Sequence, residues 1–419
     1  MNRAWYKNID PVLLFVWAGL VCVGLTAIYS ATHGPAAEFL LDTVQKNFQR
    51  QAMWFGISGA VMAVILLIPA TTVHRLSFLA YAVTTGLLVA ALVFGREVNG
   101  AKSWVYIGSF GLQVSELAKV GTLLAVTRFL SKKEARRGEW KYLLGAAALL
   151  LVPAALIVLQ NDTGTALVFM ALVPILLFWS GAVSLLTMAL IIAPAIAGYL
   201  VIVNPAWAGF FSLVFTAAML VFSRNWLVAG ASALASGGVA LAAYIGLNKI
   251  LKPHQVDRIV AFADPEQFAS TTGFHVIQAK AAIGSGGVLG KGFTQGTQTQ
   301  LAFIPEQSTD FVFTIVGEEF GFLGAAVVLT LFAFLLIRLA TLGQRSAHAM
   351  PRLFAAGVAG IFLVHVIINI GMTIGAMPVI GIPLPFISYG GSALLANTTM
   401  IAITLNLYAR RDEFSVYGR

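Results

Sequence analysis

Charge is what this 419-residue sequence has least of: Asp, Glu, Lys and Arg make up 10% of it, against about 25% in soluble domains. With 59% hydrophobic residues, the chain cannot hide its apolar side chains in one globular core. Cysteine is almost missing as well. Cys22 is the only one, it lies inside an apolar run, and with no second thiol it forms no intrachain disulfide and says nothing about compartment. None of the six histidines forms an HExxH pair, and no GxSxG elbow is present, so zinc hydrolysis and serine acyl transfer lose support. The segment Gly284-Ser-Gly-Gly-Val-Leu-Gly-Lys291-Gly292 falls short of a nucleotide-phosphate loop. Ser285 stands where GxxxxGK needs its first glycine, and a glycine follows Lys291 where Ser or Thr belongs. A nest of backbone N–H groups cradling phosphate stays open there. The net charge of +9 is scattered among short loops with no basic run, so a nucleic-acid partner is not expected.

What is present is a series of long apolar runs without period-2 alternation, which reads as helices and not as barrel strands. The expectation is an all-α polytopic membrane protein with about twelve transmembrane helices, at 11–30, 53–69, 76–94, 113–130, 142–160, 164–182, 185–203, 209–223, 226–247, 311–338, 353–376 and 392–409. The run at 209–223 is short enough to tilt or dip. A signal peptide fits 11–30 poorly, because the run is long and lacks a small-residue cleavage site. With a cytoplasmic N-terminus the C-terminus is cytoplasmic too, and sixteen of the 26 Lys and Arg residues fall on or near that side. The polar interval 248–310 then lies outside, carrying Lys249, Lys252, Arg258, Lys280 and Lys291. These are either a seat for a phosphorylated lipid head group or ordinary solvated loop charge. The chain has no internal repeat, low-complexity tail or soluble domain, and reads as one integral membrane domain over 1–419.

Several polar groups sit where they are expensive. Glu116 and Lys119, with Ser115, share one face of the fourth span. An ionised side chain there costs about 2.5–3.5 kcal/mol on insertion scales, so it faces a cavity or a partner. The two either neutralise each other, or Lys119 lines a cavity for an anionic ligand while Glu116 orients it. The outside corner 160–165 carries Asp162, which either caps the next helix or faces the same cavity. The corner 99–106 adds Lys102 and Trp104 at head-group level. Pro383 to Ser392, with two prolines and two glycines, breaks helical character around Ser388, and is either a re-entrant turn at that cavity or a plain loop. The chemistry is expected between Gly273 and Glu319. There an amphipathic run and a glycine cluster lead to Glu306, Thr309 and Asp310, just before the chain turns apolar at Phe311. Asp310 is either a reactive carboxylate or the cap of the helix that follows.

Taken in order, QVSELAK, QNDTGTALV, GFHVIQAKAAIGSGGVLGKGFTQGTQTQLAFIPEQSTDFVF, VGEEFGFLG and PLPFISYGGSALL resemble the motif series of the SEDS family of shape, elongation, division and sporulation proteins, over most of the chain. GSGGxxGKG and GTQ look more like its elongation branch than its division branch. The resemblance implies a peptidoglycan glycosyltransferase of the bacterial cytoplasmic membrane that polymerises lipid II at the outer face. Its implied partners are a class B penicillin-binding protein, other elongation-complex proteins and membrane lipids. The family's essential carboxylate falls on Asp310, within Pro305-Glu306-Gln-Ser-Thr309-Asp310-Phe311. The family's Ser-Glu-x-x-Lys motif falls on Ser115, Glu116 and Lys119, and its Gln-x-Asp-x-Gly-Thr corner on Gln160, Asp162, Gly164 and Thr165. Two departures stand out. Ser308 replaces a common histidine, so no histidine base is expected there, and the family's usual ten spans make 204–247 look like an inserted helical hairpin.

Glycosyl transfer from a lipid pyrophosphate needs a base for the attacking hydroxyl and cations for the leaving group. An aspartate with a reference pKa of about 3.9 is already in its base form at neutral pH, and general-base help is worth about 10²–10⁴ in rate. Asp310 is the expected base. Lys119, Lys291, Lys102 and Arg258 are the candidate pyrophosphate ligands, a role that a divalent cation such as Mg or Mn would share. Glu116, Trp104, Asp162, Glu306, Thr309 and Ser388 complete the expected substrate contacts, and attack from the opposite face would invert the anomeric centre. A lipid II flippase and a non-catalytic scaffold for the penicillin-binding protein are the alternatives.

Overall fold

The computed structural model describes residues 5–34, 42–98, 100–108, 110–132, 140–247, 272–301, 306–411 and 413. Arg258, Lys249 and Lys252 lie outside the described residues. The main helices are α1 (Pro11–His33), α2 (Asn47–Leu67), α3 (Ala70–Phe94), α4 (Val114–Leu130), α5 (Trp140–Leu159), α6 (Thr163–Trp179), α7 (Leu185–Val203), α8 (Pro205–Ser223), α9 (Trp226–Ile245), α10 (Thr272–Gly286), α11 (Val312–Glu319), α12 (Gly321–Gln344), α13 (Ala349–Thr373) and α14 (Gly391–Ala409). Ten of the described helices are long and apolar enough to cross a membrane. Two 17-residue helices complete the expected set: apolar α6, and α4, which carries Glu116, Lys119 and Arg128.

Helices α13 and α14 are buried along most of their length, and α4 is buried with them, whereas α2, α3 and α7 to α9 face mainly outward. In lipid, such a centre forms by close packing more than by expulsion of water. Small residues permit the approach: a Cβ on Gly357 would meet Leu123 at 2.3 Å, and one on Gly360 would meet Ile175 at 3.0 Å. At the side of the bundle, α7, α8 and α9 share a separate small core of Ala197, Val201, Ala208 and Ala240. Helix α8 starts earlier than expected, because Asn204 accepts from the Ala206 amide at 2.9 Å and Pro205 occupies its first position. Both described chain ends meet at one end of the bundle, where Asn8 Nδ2 donates to the Ala409 carbonyl and Arg338 clamps the buried Asp10 that caps α1.

Two stretches depart from the expected pattern. The corner after α3 is a three-stranded antiparallel sheet, β1 (Arg96–Val98), β2 (Ala101–Ile107) and β3 (Phe110–Gln113), with Trp104 opposite both Arg96 and Gln113. Its run Trp104-Val-Tyr-Ile107 has the β-branched and aromatic composition of a strand. The span expected at 311–338 is broken, since α11 ends at Glu319 and α12 begins at Gly321, whose φ is +62°.

The glycine cluster repairs that break. The Phe322 and Leu323 amides at the start of α12 donate to the Gly287 and Val288 carbonyls at 2.9 and 3.1 Å. In return, the Lys291 and Gly292 amides donate to the Glu318 and Glu319 carbonyls at the end of α11, both at 3.0 Å. Backbone groups freed inside a span need such partners. A Cβ on Gly290 would lie 2.1 Å from the Glu319 carbonyl oxygen, so only glycine fits the splice. The Lys291 and Gly292 N–H groups are therefore spent within the chain and are not available to a phosphate.

Candidate active site

At the end of the bundle opposite the chain termini, a cavity of about 850 Å³ opens between the sheet, the starts of α4, α6 and α14, the one-turn segment at 306–310, and the irregular stretch 379–393. Six expected residues line it: Asp310, Glu306, Thr309, Glu116, Asp162 and Trp104.

Asp310 is placed through its backbone. Its amide donates to the Glu306 carbonyl at 3.0 Å, and its own carbonyl accepts from Asn369 Nδ2 at 2.9 Å. Its carboxylate has no hydrogen-bond partner among the described residues. Helix α11 takes Phe311 as its N-cap with no side-chain cap bond, so Asp310 does not act as the cap. Gly381, at φ +77°, faces the carboxylate, and a Cβ there would lie 3.3 Å from Oδ2. Burial first, and the neighbouring charge of Glu306 second, push the Asp310 carboxyl up to about 7. Contrary to the reference-value expectation, this carboxyl is raised well above the usual carboxylate range, toward the range in which a general base is most effective.

The turn before it is fastened on several sides. Thr309 Oγ1 donates to Glu306 Oε2 at 2.9 Å, and Tyr389 N donates to the Ser308 carbonyl at 2.8 Å. Ser388 is a staple: its hydroxyl donates to the Thr309 carbonyl at 2.5 Å and accepts from the Leu384 amide at 2.8 Å. Both of those bonds go to backbone, and Ser388 does not line the cavity. Across from Asp310, Asp162 caps α6 through the Thr165 amide at 3.1 Å while its other oxygen accepts from Ser115 Oγ at 2.8 Å and Gln113 Nε2 at 3.1 Å. Capping and cavity lining are combined in one side chain.

The expected cations among the described residues, Lys119, Lys291 and Lys102, sit elsewhere. Lys119 is fully buried behind the wall, its Nζ 2.9 Å from Glu116 Oε1 and 3.0 Å from His365 Nε2. Lys291 pairs with the buried Glu318 at 2.7 Å, and Lys102 Nζ turns back to the Val93 carbonyl at 3.4 Å. Among the described residues, Arg50 is the one lysine or arginine that lines the cavity. Its signal in the sequence was a lone arginine just before the apolar part of α2, which spacing alone does not mark. His275 also faces the cavity, with Nδ1 buried and unpartnered among the described residues and its pKa held below the usual histidine range by burial. No group of three or more His, Cys, Asp or Glu side chains among the described residues is arranged to hold a metal. A hard divalent ion would find oxygen donors in Asp310 and Glu306, and Mg²⁺ commonly uses one or two carboxylates together with substrate phosphates.

The chain is similar to known proteins along its whole length. A peptidoglycan glycosyltransferase RodA of Treponema pallidum (strain Nichols) is 32% identical, covering 97% of this chain and 98% of that protein. A peptidoglycan glycosyltransferase MrdB of Escherichia coli (strain K12) is 30% identical over 98% and 96% of the two chains. A solved chain from a study of polymerization and crosslinking by a peptidoglycan synthase complex superposes with a TM-score of 0.69 at 28% identity, covering 96% of this chain and 98% of that one. The rod shape determining protein RodA of Thermus thermophilus gives 0.62 at 25%, covering 96% and 97%. The model of the FtsW/RodA/SpoVE cell cycle proteins matches residues 11–207 and 186–413, and the chain belongs to that family.

Proposed function

We propose that this protein is a peptidoglycan glycosyltransferase of the elongation type, polymerising lipid II at the outer face of the bacterial cytoplasmic membrane. The observation that carries the reading is Asp310: a carboxylate with no hydrogen-bond partner among the described residues, pushed up to about 7 by burial and by Glu306, in a large cavity at the mouth of a membrane bundle. A lipid-linked sugar reaches such a mouth with its tail still in the bilayer. Asp310 takes the proton from the attacking sugar hydroxyl as its oxygen bonds to the anomeric carbon of the donor. The bond from that carbon to the pyrophosphate breaks, and its electron pair leaves with the pyrophosphate. Attack opposite the leaving group turns an α-linked donor into a β-linked polymer. Arg50 takes the pyrophosphate-binding role in place of Lys119, Lys291 and Lys102, none of which lines the cavity. A magnesium or manganese ion held by Glu306 together with the substrate's phosphates would add positive charge at the leaving group and leave Asp310 free to act as the base.

The outward placement of the cavity rests on the basic residues at the other end, including Arg128, Lys132, Arg345, Arg352 and Arg410. A class B penicillin-binding protein is the proposed partner, supported by the likeness to a chain of a peptidoglycan synthase complex. The purified protein, assayed in detergent with that partner, should polymerise lipid II, while Asp310→Asn reaches the membrane in normal amount, binds the partner and makes no glycan. Polymerisation by Asp310→Asn within a few-fold of wild type would remove Asp310 as the base. Lipid II transfer in sealed vesicles without polymerisation in detergent would replace the enzyme by a flippase.

A further inference from the structure

We propose, resting on the glycosyltransferase reading, that His365 is a positioning residue: it holds Lys119 so that Glu116 keeps one carboxylate oxygen free to receive the substrate's hydrogen-bond donors. Glu116 lines the cavity whereas His365 and Lys119 lie behind it and line no part of it, so neither meets the substrate directly. His365 Nδ1 lies 3.0 Å from the Pro383 carbonyl, which only accepts, and this places the ring proton on Nδ1. The lone pair of Nε2 then faces Lys119 Nζ at 3.0 Å. The ammonium is shared between that nitrogen and Glu116 Oε1, at 2.9 Å.

The consequence appears at the other Glu116 oxygen. Oε2 is buried without a hydrogen-bond partner among the described residues, and Glu116 lines the cavity. Sugar hydroxyls and acylamino N–H groups are the donors that such an oxygen accepts. One helical turn beyond His365, Asn369 Nδ2 donates to the Ile382 carbonyl at 2.8 Å and to the Asp310 carbonyl at 2.9 Å. A single face of α13 thus sets Glu116, through Lys119, on one side of the cavity and Asp310 on the other.

Two conservative variants separate this role from simple packing. In His365→Gln the amide oxygen reaches the place of Nε2 and still accepts from Lys119, but the bond to Pro383 is given up. In His365→Asn the amide N–H reaches the place of Nδ1 and keeps the Pro383 bond, but Lys119 loses its acceptor. Both are purified with the partner, their thermal midpoints compared with wild type, and kcat and KM for lipid II measured. The expected result is kcat/KM within about three-fold of wild type for His365→Gln and lower by about 100-fold for His365→Asn, the scale of a misplaced contact group, at similar thermal midpoints. Equal activity of the two variants, better activity of His365→Asn, or losses that follow the thermal midpoint would overturn the proposal. An inactive wild type would instead refute the glycosyltransferase reading itself.

Discussion

At the scale of single residues, the tuning of Asp310 sets a pH dependence with a definite sign. In the proposed role of Asp310 as base the reactive form is the carboxylate, so kcat/KM should rise with pH through about 7. Part of that elevation comes from Glu306, and Glu306→Gln removes the like charge, so the acid limb of the profile should move to lower pH. An unmoved limb would mean that Glu306 does not act on Asp310. The same shift bears on stability. Between the usual carboxylate range and about 7 the folded state holds a proton that the unfolded state has released, so this group's contribution declines as pH rises through that window. The lysines illustrate what residue spacing does and does not reveal. Spacing in α4 correctly pairs Glu116 with Lys119, but the second partner of Lys119 lies 246 positions away, on α13. Glu318, which captures Lys291, follows 27 positions later on the far side of the loop. Lys291→Met should therefore lower stability by about 1–3 kcal/mol, the range for a lost charged hydrogen bond, and leave KM for lipid II unchanged. Arg50→Gln should do the reverse, raising KM at constant thermal midpoint.

Among the elements, the helices were legible in the sequence because an apolar run long enough for a bilayer has few other folds open to it. The break at Phe320–Gly321 was not, because the groups that satisfy it come from Gly287 to Gly292, remote in sequence and polar in composition. The sheet at 96–113 was hidden for a related reason: its strands are short, and its Trp, Val, Tyr and Ile also fit a head-group anchor. Two glycine substitutions test the splice. Gly321→Ala needs a left-handed backbone, costing about 1–2 kcal/mol, and its Cβ would sit 2.3 Å from the Gly290 nitrogen. It should lower the thermal midpoint and the yield of folded protein. Gly284→Ala, exposed on α10 with open space around its Cβ, should be neutral or stabilise by up to about 1 kcal/mol. Equal effects of the two would mean that the splice is not what the glycines serve.

For the whole molecule, the proposed reaction makes a demand on orientation, because a polymer built at the outer face would require the cavity to open outward. The cavity end holds Asp310, Glu306, Glu116 and Asp162, while the described residues of the terminal end include Arg128, Lys132, Arg345, Arg352 and Arg410. That asymmetry was legible before any contact was known, since it depends only on loop charge. The native thiol at Cys22 is exposed on α1, so a labelling background first needs Cys22→Ala. In that background, Ser131→Cys marks the terminal end, just after α4, and Gln295→Cys marks an exposed position beside the glycine splice. A membrane-impermeant maleimide added to intact spheroplasts should label Gln295→Cys and spare Ser131→Cys, and opening the membrane should make both reactive. The opposite pattern would put the cavity in the cytoplasm, where Asp310 would still be a tuned base but no glycan strand would be made on the outer face.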